Sequence, residues 1–190
     1  MTEQLRRQIA ALFIAVLAGV SSAAQTEPGR TESSSASAAA ATTQIDIDNF
    51  GRVSPTYYRG AQPDGSDYSD LAAIGVKTLI NLTSDDASAD EPAMAKKSGL
   101  KYVQIPMTTH EPPTADTLAR FLQIVDDPAN QPVFVHCVGG RHRTGVMTAA
   151  YRMSRHGWTA DQAFREMKQF KFGADFLHPE FKKFVYDFGS

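Results

Sequence analysis

Residues 136–145 read His-Cys-Val-Gly-Gly-Arg-His-Arg-Thr-Gly and hold the only cysteine of the 190-residue chain, Cys137. A short apolar run, Val133 to Val135, precedes it, and a helix-like segment begins near Arg143. That order predicts a strand, a tight loop and a helix N-terminus, where free backbone N–H groups and the helix dipole favour an anion. Gly139 and Gly140 allow the backbone to curl round a small tetrahedral ion. Arg143, six positions after the cysteine, offers a planar fork to two oxygens of an oxyanion. The same positive surroundings favour ionisation of the thiol, and a Cys137 thiolate beneath a bound phosphate is placed for in-line attack on phosphorus.

Positioning such a loop needs a sheet. "FGRVSPTYYRG" gives two extended pieces broken at Pro55. "VKTLINL", "KYVQIPM" and "QPVFVH" read as strands rich in branched apolar residues. Helical patterns fall at "DGSDYSDLAAIG", at "SADEPAMAKKSG" with Gly99 as stop, at "TADTLARFLQIVDD" with Thr114 as N-cap, at "RTGVMTAAYRMSRHG", at "TADQAFREMKQF" and at "HPEFKKFVYDF". Strands alternating with helices predict an α/β fold, an αβα sandwich with a mainly parallel central sheet covered on both faces. Hydrophobic residues make up 42% of the chain, enough for a core, and the formal net charge of −2 gives no long-range field favouring nucleic acid or an anionic membrane. One cysteine allows no internal disulfide and no structural zinc cluster.

The pattern His136-Cys137-x-x-Gly140-x-x-Arg143-Thr144-Gly145 resembles the signature of the cysteine-dependent protein tyrosine and dual-specificity phosphatases. "HCVGGRHRTG" looks most like their atypical dual-specificity branch, known from plants, fungi and bacteria, and "YYRGAQP" from Tyr57 is similar to the segment that opens its domain. The resemblance implies a phosphocysteine intermediate and neither metal nor cofactor. It implies Cys137 as nucleophile and Arg143 as phosphate ligand and stabiliser of the transition state. Backbone amides from Val138 through Gly139, Gly140, Arg141 and His142 to Arg143 would complete the cradle. Thr144 would donate a hydrogen bond to the sulfur, and His136 would order the loop by hydrogen bonding. Arg141 and His142 point to extra negative charge on the substrate, since the branch acting on inositol pyrophosphates also carries a basic residue and a histidine before its arginine.

An alkyl leaving group also needs a proton. The family commonly takes it from an aspartate some 30 residues before the cysteine, but "IPMTTHEPPTAD" has none at the usual place. Asp116, Glu111 and His110 are the candidates. A weak acid would favour aryl phosphates or phosphoanhydrides, so the expected activity is hydrolysis of phosphate monoesters on phosphoprotein or a small metabolite, with an inositol pyrophosphate phosphatase as the alternative. A phosphate-binding pseudophosphatase module and a sulfur-transfer or arsenate-reducing loop are the other readings weighed.

The N-terminus carries Arg6 and Arg7, an apolar run from Ile9 to Val20, and Ser22 and Ala24 where a signal peptidase prefers small residues. Residues 1–24 therefore read as a signal peptide, 25–44 as a Ser/Ala-rich tether too poor in apolar side chains to fold, and 45–190 as the domain. The run is short of the roughly 20 residues of a spanning helix. Export to the periplasm or medium is expected, with anchoring by an uncleaved segment the alternative.

Overall fold

A computed structural model describes residues 44–84 and 86–189; the expected signal peptide and nearly all of the tether lie outside them. Its elements run in the order β1 (Gly51–Ser54), β2 (Tyr57–Gly60), α1 (Asp67–Ala73), β3 (Thr78–Asn81), α2 (Glu91–Lys97), β4 (Lys101–Gln104), α3 (Ala115–Asp126), β5 (Val133–His136), α4 (Arg143–His156), α5 (Ala160–Gln169) and α6 (Pro179–Phe188). Every strand and helix expected from periodicity is present, each strand trimmed to four residues.

The sheet order is β1-β2-β5-β3-β4. β1 pairs antiparallel with β2, and every other pair is parallel. β3 and β5 are buried at all four positions, as strands covered on both faces must be. Alternation along them sorts side chains into two cores. Leu79 and Phe134 face one core, with Tyr68 and Leu71 of α1 and Ala95 of α2. Ile80, Val133 and Val135 face the other, against Phe121 of α3, Met147 and Ala150 of α4, Phe164 and Met167 of α5, and Phe181 and Val185 of α6. This is the αβα sandwich. At roughly 1.5–3 kcal/mol per fully buried large apolar side chain, those two cores hold the central strands where the cysteine loop needs them.

α4 is the central helix: Arg143 through Tyr151 are all buried. It ends at Gly157 in the left-handed conformation, φ 66°, where glycine is the residue without steric cost. Its start is different in kind from those of α3 and α5. Thr114 caps α3 by accepting from the Thr117 N–H, and Thr159 and Gln162 form a capping box on α5, whereas the N-cap His142 of α4 offers its helix no side-chain hydrogen bond. The first amides of α4 therefore have no capping side chain, and they open onto the loop that follows β5. Among the described residues no helix is long and apolar enough to cross a membrane.

Candidate active site

Loop 137–142 joins the C-terminal end of β5 to α4, in the crevice where ligands of parallel sheets bind. Cys137, Val138, Gly139, Arg141, His142 and Arg143 line one cavity of about 390 Å³, together with Asp86 and Thr109. Cys137 lies at its base, only 3% exposed, while Val138 stands half exposed on the rim.

The loop closes tightly against β2. Gly140 has φ 63°, and a Cβ there would lie 2.4 Å from the carbonyl carbon and oxygen of Gly60. Only glycine satisfies both conditions. The backbone N–H of Gln62 donates to Val138 O (3.1 Å). Asn49 Nδ2 donates to Gly139 O (3.3 Å) and Gly140 O (3.1 Å), and Arg59 Nη2 donates to Gly140 O (2.7 Å).

Arg143 is almost wholly buried. Nη1 donates to Asp86 Oδ1 (2.8 Å) and Met107 O (3.1 Å), and Nη2 donates to Asp86 Oδ2 (2.6 Å). This is the fork-to-carboxylate geometry in which arginine also binds phosphate. The guanidinium holds the Asp86 carboxyl below the usual carboxylate range. Burial works against the Arg143 charge, but Asp86 and Cys137 more than offset it, and its basicity rises.

His136 is fully buried, with Nε2 2.8 Å from Glu91 Oε1. Neither ring nitrogen has an aligned hydrogen bond, so His136 sits against Glu91 by close packing rather than by the hydrogen bonding expected of it. The Thr144 hydroxyl is buried without a partner; it does not bond the sulfur in this state and is available to do so. His142 Nε2 lies 3.0 Å from Phe172 O, and its ring is 3.9 Å, centroid to centroid, from that of His178. Burial and then His178 push its basicity down. Arg141 Nη2 lies 3.7 Å from Asp48, which Lys171 also pairs at 2.7 Å.

The structure brings Cys137, Val138, Gly139, Arg141, His142 and Arg143 to one cavity and packs Gly140, Thr144 and His136 directly behind it. The three proton-donor candidates stand elsewhere. Asp116, Glu111 and His110 are exposed and none is among the residues lining the cavity. The carboxylate that does line it is Asp86, which was not among the candidates. Its signal was weak: one of several acids in "SDDASADE", with a partner 57 positions away. Asn49 and Arg59 were likewise missed as neighbours of the loop. Among the described residues no group of three or more His, Cys, Asp or Glu is placed to hold a metal ion.

The model of a family described as a DSP-PTPase phosphatase fused to NAD+ kinase matches residues 36–181. The dual specificity protein phosphatase TpbA of Pseudomonas aeruginosa (strain UCBPP-PA14) is 32% identical over 125 residues, covering 66% of this chain and 56% of TpbA. The inositol diphosphatase SIW14 of Saccharomyces cerevisiae is 29% identical over 133 residues, covering 67% of this chain and 47% of SIW14. The chain thus spans about half the length of these curated relatives. The crystal structure of P. aeruginosa TpbA matches with a TM-score of 0.63 at 28% identity, over 74% of this chain and 84% of that one.

Proposed function

The chain belongs to the DSP-PTPase family of dual-specificity and tyrosine phosphatases, and from that membership we propose that it is a cysteine-dependent phosphatase. The observation that carries the reading is one cavity holding Cys137 at its base, Arg143 on its wall and the uncapped start of α4. The Cys137 thiolate attacks phosphorus, an S–P bond forms, and the P–O bond to the leaving group breaks. Arg143 and the loop amides hold the equatorial oxygens, whose charge grows in the transition state. Water then attacks the phosphocysteine, phosphate leaves, and Thr144 donates to the departing sulfur. His136 holds the loop from behind. Arg141 and His142 bind further negative charge on the substrate.

The proton for the leaving oxygen comes from Asp116 or Glu111 if loop 107–116 moves over the bound substrate, or from Asp86 once phosphate has displaced it from Arg143. Phosphoanhydrides need no such donor. The lack of Asp116, Glu111 and His110 among the cavity-lining residues, together with similarity to the inositol diphosphatase SIW14, favours inositol pyrophosphates as a second substrate class beside phosphotyrosine and phosphoserine or phosphothreonine proteins. The signal-peptide pattern of residues 1–24 supports action in the periplasm or medium.

The test is turnover of an aryl phosphate in the presence of a metal chelator. Wild type turns over, and Cys137→Ser loses activity by at least about a thousandfold, as removal of a covalent nucleophile requires. Retained activity in that variant overturns the mechanism. Running phosphotyrosine peptide, phosphoserine peptide and inositol pyrophosphate on Asp86→Asn, Glu111→Gln and Asp116→Asn identifies both substrate class and donor. The donor's variant fails on phosphoserine while keeping aryl phosphate.

A further inference from the structure

Arg59 is a buried cation that the reaction as described does not use. It is fully buried. Its guanidinium lies 4.0 Å from the centroid of the Phe170 ring and donates to one carbonyl, that of Gly140. Nε and Nη1 have no partner, and none of the ion pairs among the described residues includes it. A buried guanidinium without a carboxylate is costly, so a position that keeps one needs a compensating negative charge.

The electrostatic neighbours of Arg59 are Tyr57, the buried Glu166 and Cys137, with Arg152 opposing them, and the register shows how Cys137 comes to be among them. β2 pairs in parallel with β5, with Arg59 opposite Val135 and Gly60 opposite His136. Side chains alternate faces along a strand, so Arg59, Val135 and Cys137 all point to the same face of the sheet. Cys137 continues the alternation one pleat beyond Val135, at the end nearest the cradle. Tyr57 and Val135, on this face, belong to the same core cluster as Cys137.

Segment 49–62 also orients the loop itself. A trans peptide is planar, with C=O and N–H pointing in opposite directions. Gln62, Asn49 and Arg59 hold the carbonyls of Val138, Gly139 and Gly140 away from the cavity. The N–H groups of Gly139, Gly140 and Arg141 are thereby turned toward it. Asn49 has φ 60° and its amide also donates to Phe170 O at 2.8 Å, which ties it to the ring on which Arg59 stacks.

We propose that Arg59 and Asn49 are positioning residues of the anion cradle, Asn49 fixing the direction of its amides and Arg59 both fixing Gly140 and supplying a buried positive charge behind the Cys137 sulfur. The inference rests on the phosphatase reading for its purpose, but its readouts do not require turnover. Arg59→Gln keeps a side-chain amide for the Gly140 carbonyl and removes the charge. Asn49→Gly keeps the left-handed backbone, which glycine adopts freely, and removes the amide. Arg59→Lys restores the charge.

Two quantities are read on the folded proteins, with thermal unfolding as the check of fold. One is the rate of Cys137 alkylation by iodoacetamide from pH 4 to 9; the other is protection of that alkylation by inorganic phosphate. The pH midpoint of alkylation in Arg59→Gln lies about one unit above wild type, and Arg59→Lys recovers most of the difference. Asn49→Gly keeps the wild-type midpoint and needs about tenfold more phosphate for equal protection. A merely structural role lowers unfolding temperature and leaves both quantities unchanged in the folded fraction. Wild-type midpoint and wild-type phosphate protection in folded Arg59→Gln and Asn49→Gly overturn the inference. Shifted readouts in a protein that hydrolyses no phosphate ester leave it standing and sink the phosphatase reading instead. Should Arg59→Gln not fold, Arg59→Met, which also removes the charge, is read in its place, and Asn49→Gly is compared with wild type as before.

Discussion

At Arg143 two acceptors compete for one fork. Asp86 occupies both terminal nitrogens, and a phosphate monoester needs the same two donors. The incoming dianion must displace a carboxylate, so the ion pair supports Arg143 in the empty site and opposes substrate. Removing the charge therefore has effects of opposite sign. Asp86→Asn binds phosphate more tightly, by about three- to tenfold for a contact of this exposure, as read by phosphate inhibition of Cys137 alkylation. It is also less stable to heat at pH 7. Arg143 lowers the folded-state titration of Asp86 below its ordinary 3.8, so the stabilising ion pair is fully present above about pH 4 and is lost as pH falls through that lower value. The gap in unfolding temperature between wild type and Asp86→Asn closes on the same path. The cysteine and arginine of this site are legible in sequence because the cradle is local, ten consecutive residues crossing from strand to helix. Asp86 is not. Which acid of a loop reaches a distant guanidinium depends on how the loop folds back, and residue types alone do not encode that path.

One carboxylate ties the elements beneath the cradle. Glu91 opens α2 and is buried, 1% exposed. It accepts from Gln62 Nε2 beyond β2 at 2.6 Å, from Asn81 of β3, and from the Tyr102 hydroxyl of β4 at 3.4 Å, and it lies 2.8 Å from His136 at the end of β5. A single side chain thus ties the C-terminal ends of β2, β3 and β5 to Tyr102 in the first half of β4. Glu91→Ala leaves buried Asn81 and His136 and half-buried Gln62 beside a void. The expected loss is about 2–4 kcal/mol, the cost of several hydrogen bonds to one buried carboxyl lost together, measured by urea unfolding, and the cysteine loop loses its fixed partner at His136. The elements themselves were read correctly from apolar periodicity and glycine stops, since each is decided by neighbours in the chain. The mainly parallel sheet was also expected, but its strand order is not written in the sequence. β2, early in the sequence, inserts beside β5, late in it, and this long-range pairing brings Asn49, Arg59 and Gln62 against the loop. No local pattern distinguishes that arrangement from other parallel sheets, which is why the cradle's supporting residues were missed while its lining was found.

Across the whole molecule, the two layers differ in what they give the site. The α1–α2 layer meets it through Glu91 and His136. The α3–α6 layer meets it through α4 and through His178, at the start of α6, whose Nδ1 lies 3.0 Å from Thr109 O on the cavity rim and whose ring abuts His142. His142 is thus a junction of cradle and C-terminal layer, facing His178, the Phe172 carbonyl, Arg141 and Arg143. Burial, then His178, Arg141 and Arg143, lower its folded-state titration below the ordinary 6.5, and burial does the same for His156 on α4. In the window below pH 6.5 the unfolded chain therefore binds more protons than the folded one, and stability falls as pH falls. The unfolding temperature is expected to be flat from pH 8 to 7 and to decline from pH 6.5 toward 5. His142→Gln, which cannot charge and keeps a donor for the Phe172 carbonyl, removes part of that decline, and a profile unchanged by the substitution would show that His142 gains its proton as easily folded as unfolded.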